Sequence, residues 1–146
     1  MSILDAVEFY LEKKGKPYDP DTAEGNLNLG LKVGADIANL KIFLTDDNIL
    51  HFRTILTFKV DTAKARGLIV AANIVNGYIN FGKFVVKGNG IYFDLCKICS
   101  ADDISDKDIA FYLTASRLTA KKYLASFVAI NEGELSVQDF IKSVSG

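Results

Sequence analysis

The chain has 146 residues, 49% of them apolar and 24% charged, with a formal net charge of −1. That is the balance of one folded globular domain spanning residues 1–146, long enough to bury a core without disulfides or a structural metal. Lys and Arg are scattered rather than striped, which argues against the cationic footprint that neutralises phosphates, so no nucleic-acid partner is expected.

The N-terminal stretch Ser2–Glu8 has no basic n-region and carries Asp5 and Glu8 among its apolar residues, so it does not read as a signal peptide. Ile3, Leu4, Val7, Tyr10 and Leu11 have helical spacing, with Ser2 as N-cap and Gly15 just past the end. Lys16–Gly25 holds both prolines and several acids and reads as an exposed connector. From Leu27 the period becomes two. Leu27, Leu29, Leu31 and Val33 alternate with polar residues or glycine; Leu40, Ile42 and Leu44 follow on one parity. After the turn Asp46-Asp47-Asn48 a third strand carries Leu50, Phe52, Leu56 and Phe58, completing an antiparallel meander.

Asp61 is the expected N-cap of a helix with Leu68, Ala71, Ala72 and Val75 on one face and Gly77 at its end. Gly67 inside it predicts close packing on the sheet. The longest apolar run, Leu68–Ala72, falls far short of the roughly 20 residues of a bilayer span, so no membrane insertion is expected. A hairpin over Asn80–Lys87 and Ile91–Ile98 turns at Gly88-Asn89-Gly90. Ser105 with Asp108 opens a long helical region, and Ser136–Val144 forms a last short helix. The expected fold class is α+β in the order α-βββ-α-ββ-α-α: an antiparallel sheet of about five strands with helices mainly on one face.

Few residues point to chemistry. Cys96-Lys97-Ile98-Cys99 has redox spacing, but strand alternation sends the two thiols to opposite faces and no helix N-terminus follows Cys96. Two half-buried structural thiols are expected, reduced in a cytoplasmic setting. Two cysteines and one histidine are too few for structural zinc, and no metal or cofactor is expected. His51 falls on the polar parity beside Arg53 and reads as an exposed sheet residue; a catalytic base needs an orienting carboxylate and a nucleophile, and sequence cannot place either near it. Asp102–Asp108 lacks the glycine and closing glutamate of a calcium loop and reads as acids at a helix start. Phe43, Arg53, Ile55 and Tyr92 share the second face of the sheet with Lys41 and Asp94. Aromatic residues mixed with arginine are the composition of an interface, and a covered second core layer is the alternative.

The element order resembles the YbjN family, which shares its fold with type III secretion chaperones of the Tir chaperone kind. The resemblance is carried by the block Leu27–Phe58, by Ala71-Ala72-Asn73-Ile74-Val75-Asn76, and by Phe81-Gly82-Lys83-Phe84-Val85-Val86 followed by Gly90-Ile91-Tyr92-Phe93-Asp94-Leu95. It implies a non-catalytic, often dimeric domain that holds a segment of another protein. The chain is therefore expected to be a chaperone-like or regulatory protein-binding module, a homodimer and no enzyme, binding its partner through Phe43, Arg53, Ile55 and Tyr92. A small-molecule sensor with a pocket between sheet and helices near Gly67 and Gly82 is the alternative. An enzyme assembled from His51 and a dispersed carboxylate ranks last.

Overall fold

The computed structural model describes residues 2–21, 23–99 and 104–145. Helix α1 (Ile3–Lys13) starts at a capping box in which the Ser2 hydroxyl accepts from the Asp5 N–H and the Asp5 carboxylate accepts from the Ser2 N–H. Strands β1 (Asp19–Asp21), β2 (Asn26–Val33), β3 (Asp36–Leu44) and β4 (Ile49–Ile55) follow as a meander. A turn of 3₁₀ helix capped by Asp61 leads into α2 (Ala65–Asn76). Then come β5 (Lys83–Lys87), β6 (Gly90–Ile98), α3 (Asp106–Asn131) and α4 (Val137–Ser145). The fold is α+β, with six antiparallel strands in the order β1-β2-β3-β4-β6-β5.

The strand beyond the expected five is β1, inside the segment read as a connector. Its three residues are too few to show alternation, and Pro20, which lacks a donor, is tolerated because β1 is an edge. The opposite edge, β5, is closed by a side chain. Asn76 at the end of α2 donates to the Phe84 carbonyl at 3.0 Å and accepts from the Phe84 N–H at 2.7 Å. Both edges are thus blunted against pairing with another chain, one by proline and acids, the other by an amide that satisfies outward backbone groups.

The leucine-rich parity faces the helices. Leu40, Ile42, Leu50, Phe52 and Phe93 have no exposed surface there. Long α3 lies over this face: Tyr112 stacks on Phe52 with ring centroids 5.3 Å apart, and Phe127 meets Phe84 at 5.1 Å. Phe140 of α4 reaches the same cluster through Phe127 at 6.0 Å. Thr54 and Ser116 are buried in this layer, and their hydroxyls have no hydrogen-bond partner among the described residues.

Two glycines carry specific duties. A Cβ on Gly67 would come 2.9 Å from Cγ2 of Val137, so the close packing expected against the sheet is instead against α4. Gly82 has φ +83° and a Cβ there would lie 2.6 Å from Cζ of Phe93, so this position excludes a side chain twice over. A side chain added at either glycine would meet its neighbours, while an open cavity of about 300 Å³ lies between α2 and β5, lined by Ile69, Asn73, Asn76 and Phe84.

Candidate functional site

Cross-strand register decides which side chains meet on the second face. Lys41, Arg53, Asp94 and Lys83 occupy one row across β3, β4, β6 and β5. Asn39, Ile55, Tyr92 and Val85 occupy the next. Phe43, His51 and Cys96 form a third. The helices pack on the opposite side, and the second face keeps much of its apolar surface open: Ile55 is 38% exposed and Ile98 78%. Of the two alternatives for this face, an open surface rather than a covered layer is found among the described residues.

Phe43, Arg53, Ile55 and Tyr92 are brought together. The Arg53 guanidinium carbon sits 4.3 Å from the Tyr92 ring centroid and 4.9 Å from that of Phe43. Its Nε is 3.4 Å from Oδ1 of Asp94. A guanidinium between two rings and anchored on a carboxylate is held in one orientation. Ile55 stands directly opposite Tyr92 and borders an open depression of about 230 Å³ with Arg53, Lys41, Lys87 and Asn89.

Asp94 organises the face. It is only 4% exposed although no helix covers it, because its neighbours in the sheet close over it. Besides Arg53 it meets His51, whose Nδ1 lies 3.0 and 3.2 Å from its two oxygens. The His51 ring lies flat on Phe43, with centroids 4.6 Å apart and planes 3° from parallel. This corrects the exposed reading of His51, which is half-buried, and supplies the carboxylate that the sequence could not place near it. The pairing joins residues 43 positions apart, so only the β4–β6 register could reveal it.

The thiols do lie on opposite faces, but not as two half-buried groups. Cys96 is exposed on the open face, whereas Cys99 is buried on the core side, where burial pushes its thiol pKa up. Ser105 caps α3 by accepting from the Asp108 N–H, with Asp106 and Asp108 in the first turn. Asp102 and Asp103 lie outside the described residues. Among the described residues no group of three His, Cys, Asp or Glu side chains is placed to hold a metal, and no helix is long and apolar enough to cross a membrane.

Fold and surface together define an α+β domain with a helix-covered sheet face and an aromatic–arginine open face. No family model matches the sequence, and no curated protein sequence matches it. Among solved structures the chain is similar to YbjN from E. coli, described as a candidate transcription regulator, with a TM-score of 0.62 over 84% of this chain and 92% of that one. The two share 16% of their residues, so the likeness shows a YbjN-like fold and nothing finer. The fold expected from the element order is the one found.

Proposed function

We propose that this chain is a non-catalytic protein-binding module, regulatory or chaperone-like, that holds a segment of a partner protein on the open sheet face. The observation that supports this reading is the Phe43–Arg53–Tyr92 stack seated on buried Asp94. Rings and arginine immobilised in advance lose little side-chain entropy on binding, and these residue types dominate interface energetics. A regulatory role agrees with the description of the YbjN neighbour, and a chaperone-like one with the resemblance to secretion chaperones. That resemblance also contributes a homodimer to the proposal, and the reduced state expected of the two cysteines contributes a cytoplasmic location.

The test compares tagged wild type with Tyr92→Glu in pull-downs from native extract, read by mass spectrometry, with circular dichroism as a check on folding. We expect a protein retained at near-equal stoichiometry by the wild type and lost by a variant that still folds. Equal capture by both would place the binding site elsewhere. A Tyr92→Glu chain that cannot fold would make this face part of the core.

A further inference from the structure

Cys96 of β6 stands directly opposite His51 of β4 on the open face. The backbone hydrogen bonds from Leu56 to Ile91 and from Cys99 to Asn48 set the phase of this ladder. They make His51 and Cys96 one of the pairs that exchange no backbone bonds, in which Cα atoms approach to about 4.5 Å and side chains are closest. On its other sides His51 is fixed by Asp94 at Nδ1 and by the Phe43 ring beneath it. A carboxylate at Nδ1 keeps the proton of the neutral imidazole there and leaves Nε2 with a free lone pair. An exposed thiol, a base and the carboxylate that orients the base therefore occupy adjoining positions of one rigid sheet, an order that makes a thiol nucleophilic. Cys99 is the internal contrast, buried on the core side with its thiol 3.8 Å from the Lys97 carbonyl.

We propose that Cys96 is a site of reversible modification by low-molecular-weight disulfides, its thiol activated by His51 and His51 positioned by Asp94. His51 Nε2 takes the Cys96 proton, and the thiolate attacks one sulfur of the disulfide. A new S–S bond forms as the old one breaks, and the released thiolate recovers the proton. The added disulfide is the oxidant and leaves as one thiol, so no other co-reactant is needed. The charged groups on this face are Asp94 and Arg53, with Lys41 and Lys83 in the same row and Lys41 Nζ 5.7 Å from the Phe43 ring centroid; Lys97 points to the other face, 3.6 Å from Asp108. The adduct stands in the same row as Phe43, so it obstructs the proposed binding face, a consequence that alone rests on the reading above.

The test is the rate of reaction with dithiobis(nitrobenzoate) between about pH 6 and 9, for the folded chain and for the same chain unfolded in guanidinium. One thiol of the folded protein is expected to react roughly tenfold faster than in the unfolded chain, and the other far more slowly. Cys96→Ser removes the fast phase and Cys99→Ser keeps it. His51→Gln lowers the fast rate to that of the unfolded thiol and moves its pH profile up to that of an ordinary thiol. A fast phase no faster than in the unfolded chain, or one surviving in Cys96→Ser, overturns the proposal. An unchanged rate and profile in a folded His51→Gln also overturns it. The folded-to-unfolded ratio requires no variant and decides the matter even where His51→Gln does not fold.

Discussion

The two faces of the sheet reach low solvent exposure by different routes. Phe52 and Phe93 are shielded by a second layer, the helices packed over them. Asp94 is nearly as well shielded with no layer above it, because His51, Arg53 and the rings beside them close over it within the plane of the face. Layered burial removes apolar surface from water and drives folding. Lateral burial contributes less to stability but fixes the orientation of polar and aromatic groups that remain reachable. The same sheet thus has one face that holds the molecule together and another on which side chains are set in place.

The comparison can be broken by substitution, with thermal or denaturant unfolding as the common measurement. Phe93→Ala should have the largest effect, a loss of about 3–5 kcal/mol, since it opens a cavity beside Phe84 and Gly82. A loss below about 1 kcal/mol would mean the helix layer is loosely packed. Asp94→Ala should cost about 2 kcal/mol, because it leaves Arg53 and His51 without their carboxylate. Those two partners are 26% and 17% exposed, so solvent moderates the penalty. An effect as large as that of Phe93→Ala would show the open face to be core after all.

Asn76→Ala should cost about 1–2 kcal/mol by stripping the β5 edge of both its side-chain hydrogen bonds. Increased self-association in the same variant, read by light scattering, would sharpen the case that Asn76 guards that edge. The smallest effect carries the opposite sign. Thr54→Val should raise stability by roughly 1 kcal/mol or less, since the hydroxyl it removes lies buried on the core face without a partner among the described residues. Destabilisation instead would reveal a hydrogen bond to that hydroxyl.

Much of the fold was legible in the chain because it rests on local periodicity. Alternation from Leu27 to Phe52 separated the two faces before any pairing was known, and Ser2, Ser105 and Ser136 marked three helix starts. Strand β1 was illegible because three residues around a proline carry no period. The packing partner of Gly67 was equally hidden, since which element approaches a helical glycine is settled by the path of the whole chain.

Of the candidate site, composition supplied the members and parity supplied the face: Phe43, Arg53, Ile55 and Tyr92 needed nothing more to be placed on one side of a sheet. Which of them touch was decided by register. Only the pairing of β4 with β6 sets Arg53 against Asp94 and His51 against Cys96, and only the course of the helices leaves that side uncovered. Local alternation is a property of consecutive residues and survives in the sequence. Register and layer coverage join residues tens of positions apart, where one residue of slip would exchange the faces, and the tertiary structure alone determines them.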